Sequence, residues 1–107
     1  MNLKNSKCVP YEGGTKPLSV KEAKKYLKDA KGWRLEKKNI TLDKKFNDFK
    51  EAIRFVNKVA NIAEKQGHHP DISLHNWNQV RLTLSTHAIG GLSINDFIVA
   101  AKINSVK

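Results

Sequence analysis

The sequence is poor in several features that would have decided its class at once. It holds one cysteine, Cys8, in 107 residues. No internal disulfide can form, and the expected setting is a reducing one, the cytoplasm. No apolar run approaches the roughly 20 residues that a membrane-spanning helix needs, so no membrane partner is expected. The opening MNLKNSKCVPYEGG has no apolar stretch of the kind a secretory signal carries. Acidic residues are scarce, 10 against 20 basic ones, for a net charge of +10. That balance raises nucleic-acid binding as a possibility. Arginine is scarce too: only Arg34, Arg54 and Arg81 occur, and no basic run exceeds two residues. Base readout leans on arginine. The lysines therefore read as a solubilising surface, and nucleic acid is not the expected partner.

What the chain does contain is a series of short helix and strand patterns. At this length it holds one core, and 39% hydrophobic against 28% charged residues fits a globular protein. Residues 1–17, with Pro10, Gly13, Gly14 and Pro17, lack periodicity and read as an irregular N-terminal arm. Residues 18–107 read as a single domain. Ser19 and Glu22 make a capping box for a first helix, with Val20, Ala23 and Leu27 as its stripe and Gly32 as its stop. Trp33 to Phe46 alternates and reads as a hairpin around Lys37–Asn39. Phe49 to Gln66 returns to the helical period, with Phe49, Ile53, Val56, Val59, Ala60 and Ala63 on one face and Gly67 beyond. Ile72 and Leu74, then Val80, Leu82 and Leu84, alternate with polar residues around an Asn78-Gln79 turn. After Gly90-Gly91, Ser93 and Asp96 cap a last helix whose Phe97, Ala100 and Ala101 face inward. The order α-β-β-α-β-β-α predicts an α+β fold. It is a four-stranded antiparallel sheet with three helices packed on one face, the other face left to water or a second subunit.

Three of the four histidines fall within QGHHPDISLHNW, residues 66–77, and the fourth is His87. A metal site is one reading. Adjacent extended residues point to opposite sides, so His68 and His69 would chelate one ion poorly, no second cysteine is available, and no HExxH helix is present. Proton transfer fits better, because imidazole both takes and gives a proton near neutral pH. His68 and His69 follow the long helix, His87 follows the last strand, and the second hairpin brings those places side by side. Glu64, one helical turn before His68, is placed to orient an imidazole. Each residue also has a plainer reading: a histidine at a helix end as a dipole partner, Glu64 as a solvated surface residue, Trp33 and Trp77 as core or rim, Asp96 as half of a cap.

Taken together, the spacing is more specific. Glu64, His68-His69-Pro70, Trp77, His87 and Asp96 stand at fixed gaps, with Gly32-Trp33 ahead and LTLSTH (82–87) and GLS (91–93) around the last histidine. This pattern closely resembles the signature of the pterin-4a-carbinolamine dehydratase family, over about residues 18–104. The resemblance implies a hydro-lyase that takes water from a 4a-hydroxytetrahydropterin to give quinonoid dihydropterin, in tetrahydrobiopterin recycling. It implies no metal, covalent nucleophile or redox cofactor. It implies His68 and His87 as the acid–base pair, with His69 mainly holding the pterin. Ser85 and Thr86 would meet the pterin's amide edge, Pro70 and Trp33 would wall its ring, and Glu64 and Asp96 complete the set. A homo-oligomer, dimer or tetramer, is implied as well. Some animal members also serve as dimerisation partners of a transcription factor, so a protein-interaction module without required catalysis is the alternative. CVPYEGG resembles the N-terminal extension of some members, with Tyr11 where a second cysteine often follows the proline. Gly67 replaces an acidic residue, and Ala88-Ile89 a more polar pair, of other members.

Overall fold

Strand register fixes this fold, because a slip of one residue would turn every apolar side chain to the wrong face. The computed structural model describes residues 3–11 and 13–106; positions 1, 2, 12 and 107, which fall within the expected arm and domain, lie outside the described residues. Four antiparallel strands, β1 (Arg34–Glu36), β2 (Asn39–Lys45), β3 (Asp71–His75) and β4 (Gln79–Leu84), lie in the order β1-β2-β4-β3. Ile40 pairs with Leu84, Leu42 with Leu82 and Lys44 with Val80. The buried Ile40, Leu42, Val80, Leu82 and Leu84 form one apolar face of the sheet. On the other face Asp43 receives Arg34 and Arg81 at 2.8 and 2.7 Å, and those guanidinium groups hold its carboxyl down to about 2. The fold is α+β, with three helices on the apolar face, as the patterns predict.

Those helices are α1 (Val20–Leu27), α2 (Phe49–Gln66) and α3 (Ile94–Asn104). Both expected capping boxes are present, Ser19 with Glu22 and Ser93 with Asp96. α2 starts on Asp48, whose side chain accepts the Glu51 N–H, and ends on Gly67 at φ 64°, a left-handed position that glycine adopts without strain. That turn swings the chain out of the helix directly into His68.

Four details differ from the sequence reading. α1 stops at Leu27, and Gly32 instead serves the turn leading into Trp33. Val20 is exposed because it sits at the first turn of α1, beyond the edge of the core. The buried stripe of α2 is Ala52, Phe55, Val59 and Ala63; Val59 and Ala63 are as expected, while Ala52 and Phe55 take the inward places expected of Ile53 and Val56. Phe55 sets that difference by packing on Phe46, ring centroids 5.1 Å apart, which leaves Phe49 outside. The second hairpin turns at Asn76 and Trp77, both at positive φ, since Asn78 is buried and donates its side-chain amide to the Phe46 carbonyl.

α3 is buried over nearly its whole surface, from Asn95 to Ala101. It packs against α1, α2 and a 3₁₀ turn at Leu3–Asn5, and a helix so enclosed is apolar along its middle, Phe97 to Ala101. Leu3, in the arm, is itself buried in the core. Leu82, fully buried at the sheet centre, has no room to be replaced by water. Leu82→Ala is expected to lower the unfolding free energy by about 2–5 kcal/mol, read from urea melts. A change within measurement error would contradict this description of the core.

Candidate active site

The start of α3 organises the site. Residues Ser93 to Asp96 begin the helix, and Asp96 is fully buried there. Its Oδ2 accepts the Ser93 N–H at 3.0 Å and the Thr86 hydroxyl at 2.9 Å. Its Oδ1 lies 2.6 Å from His68 Nε2. A buried carboxylate is tolerated only when its lone pairs are satisfied, and here the first helical turn, the β4 exit and an imidazole share that task. Backbone N–H groups at a helix start also favour a negative charge. One oxygen caps the helix and the other holds His68, so the capping and site readings of Asp96 describe the same side chain.

His68 side-chain exposure is 12%. His69 points its Nε2 to Glu64 instead, in an exposed pair with side-chain exposures of 57% and 78%. Pro70 disfavours helical backbone at His69 and starts the chain into β3. His87 follows β4 in a short 3₁₀ turn, His87–Ile89. Its imidazole is exposed and has no hydrogen-bond partner among the described residues. The turn closes because Thr86 bridges to Gly91. Gly91 must be glycine here, since a Cβ would stand 2.8 Å from the Pro17 Cβ.

His68, His69, Ser85, Thr86 and His87 line one cavity of about 530 Å³. Asp96 lies behind His68 and does not line it. The Thr86 hydroxyl is committed to Asp96 and Ser93, and its backbone N–H and carbonyl are taken up by Gly91 and Ile89 in the turn that carries His87. Glu64 reaches the site only through His69. Pro70 and Trp33 do not line the cavity. Trp33 is a core residue whose Nε1 donates to Asn104 Oδ1 at 3.0 Å, beside a separate hollow of about 630 Å³ that includes Leu3, Lys28, Lys44 and Asn104. That hollow is the larger, yet no imidazole or carboxylate pair faces it. Among the described residues no cluster of three histidine, cysteine, aspartate or glutamate side chains could hold a metal ion, and none of the helices is long and apolar enough to cross a membrane.

Sequence reasoning missed one wall. Cys8, Val9, Pro10 and Tyr11 of the arm line the same cavity. An aperiodic segment carries no pattern that would place it, and only the apolar Val9 and Tyr11 in a polar stretch hinted at a contact.

This is a small α+β domain with an imidazole-lined pocket built at the junction of a helix exit, a strand exit and a helix start. The family model described as pterin 4 alpha carbinolamine dehydratase matches residues 16–106, and the chain belongs to that family. A protein of Alkaliphilus metalliredigens that bears the family's name is 43% identical over 105 residues, 96% of this chain and 94% of the other. The Arabidopsis thaliana pterin-4-alpha-carbinolamine dehydratase 2, mitochondrial, is 40% identical over 99% of this chain and 59% of its own length. A crystal structure of a transcriptional coactivator/pterin dehydratase from Brucella melitensis superposes with a TM-score of 0.77. It is 34% identical, covering 83% of this chain and 96% of that one.

The Cys8 thiol tests the electrostatics of the pocket wall. Burial, then the nearby Asp96 carboxylate, pushes it up to about 11. Its neutral form is favoured in the fold, so its stability contribution is intact below about pH 9 and falls as pH rises towards 11. Alkylation of the native protein at pH 8 is expected to run roughly a hundredfold slower than that of a free thiol with the ordinary pKa. Equal rates would contradict the burial.

Proposed function

We propose that this chain takes water from a 4a-hydroxytetrahydropterin to give quinonoid dihydropterin, with His68 and His87 as the acid–base pair and His69 holding the substrate. One observation carries the reading: imidazoles from two segments well apart in the chain line a single cavity, and one of them is bonded to a buried carboxylate. The cavity volume falls within the range of about 300–1,000 Å³ usual for small-molecule sites.

The reaction needs two proton transfers and no electron carrier. The N5–H bond breaks, its electron pair forms the N5=C4a double bond, and the C4a–O bond breaks as the hydroxyl takes a proton. His68 suits the first transfer. Its Nε2–H donates to Asp96, so Nδ1 carries the lone pair, and the carboxylate stabilises the imidazolium that forms. His87, free of any competing bond, suits the second. His68 gains one proton and His87 gives one, and exchange with solvent returns both rings to their starting states before the next turnover. Each transfer is worth about 10²–10⁴-fold in rate. His69, paired with Glu64 at the surface, suits orienting the substrate. Ser85, beside Thr86 on the cavity wall, offers a polar contact to the pterin's amide edge.

The activity fits tetrahydropterin recycling, in which a reductase would follow. The lone Cys8 supports a cytoplasmic setting. The outer edge of β3, which pairs with no further strand among the described residues and carries the exposed Ile72, supports a homo-oligomer.

His87→Ala is expected to slow stopped-flow dehydration of freshly made 4a-hydroxytetrahydropterin by about 10²–10⁴-fold with the melting temperature unchanged. Turnover at the wild-type rate would remove His87 from the mechanism. Chelators are expected to leave the rate untouched; a loss that zinc restores would replace this reading with a metal-dependent one.

A further inference from the structure

The cavity has two sides, and the roles proposed above use only one. The other is the arm segment Cys8–Tyr11, irregular in conformation yet pinned at both ends. Before it, Leu3 is buried in the core. After it, Gly13 approaches the Ala88 carbonyl beside His87, and the Leu18 N–H donates to the Leu92 carbonyl at 2.8 Å. Between these points two side chains grip its backbone. Asn95, 4% exposed, accepts the Val9 N–H on Oδ1 at 3.0 Å and donates its Nδ2–H to the Val9 carbonyl. Gln66 Oε1 accepts the Cys8 N–H at 3.0 Å.

These anchors are placed where they matter for the pocket. Asn95 precedes Asp96, so neighbouring residues on one helical turn fix the arm and His68. Gln66 is two residues before His68, so the arm is also referenced to the segment that carries both adjacent histidines. A buried amide that spends both its ends on one exposed loop residue holds that loop in a single position. The surface so held is apolar: Pro10 and the half-buried Tyr11 face a cavity whose opposite wall is polar. A flat heterocycle needs such a face to lie against, and neither Pro70 nor Trp33 supplies one.

We infer that residues 8–11 are a wall of the substrate site, that Tyr11 contacts the pterin ring and sets affinity for it, and that Asn95 is the positioning residue that holds this wall. The inference rests on the pterin reading of the pocket. It assigns the arm to binding and leaves the proton transfers to the histidines.

The test uses the full chain and 7,8-dihydrobiopterin, a pterin with no C4a hydroxyl to lose. Tyr11→Ala is expected to raise both its Kd and the KM for dehydration about 3- to 30-fold, with kcat within about threefold of wild type. Asn95→Ala is expected to do the same and to speed hydrogen exchange at residues 8–11. If that variant fails to fold, Gln66→Ala replaces it. In the wild type, saturating dihydrobiopterin is expected to slow exchange of the same segment. If the wild type binds the pterin while Tyr11→Ala keeps its Kd and KM, or while exchange at 8–11 is unmoved, the arm is not part of the site and the dehydratase reading survives. If the wild type binds no pterin, both fall together.

Discussion

The bond between His68 and Asp96 is the constraint on which the site depends. It ties the residue just past the end of α2 to the first turn of α3, across 28 positions of sequence. Asp96 is enclosed by protein, and its other oxygen is taken up by Ser93 and Thr86. Three segments therefore meet on one carboxylate: the α2 exit, the β4 exit and the α3 start. Loss of that carboxylate would leave a buried hydroxyl, a backbone N–H and an imidazole without their acceptor, at about 1–3 kcal/mol for each unsatisfied group. The same group that makes the packing consistent is placed to select the tautomer of one imidazole.

The fold exists to bring those segments together. Central pairing of β2 with β4 delivers Ser85, Thr86 and His87 to one end of the sheet. The long α2, laid over the apolar face and stopped by Gly67, delivers His68 and His69 to the same end. α3 is enclosed by α1, α2 and the arm's 3₁₀ turn, so its first turn is held rigidly. Side chains on the exits of regular elements, backed by a buried polar anchor, are held in place by the fold itself. The membership in the pterin-4-alpha-carbinolamine dehydratases is consistent with such a site, since elimination of water asks for placed proton donors and acceptors and little else.

Much of this was legible in the residues. The capping boxes at Ser19 and Ser93 are local chemistry, so they marked two helix starts correctly. The alternation of Val80, Leu82 and Leu84 marked a strand buried on one face, and the meeting of residues 68–69 with 87 followed from a hairpin between them. What was not legible depends on long-range packing. Which stripe of α2 turns inward is decided by Phe46 against Phe55, a contact between elements. Trp33 by itself reads as core or rim and only the family resemblance makes it a ring wall; its burial and its bond to Asn104, 71 positions away, place it in the core. The arm has no period at all, and its place against the histidines is set by Asn95 and Gln66, whose side chains give no local sign of what they hold.

The most direct test of the account is the protonation pattern of the His68 ring, read by ¹⁵N NMR in its neutral form, in the wild type and in Asp96→Asn. The account predicts a proton held on Nε2 and a bare Nδ1 in the wild type, and loss of that preference in the variant. A proton on Nδ1, or a pattern that ignores the change at position 96, would contradict it.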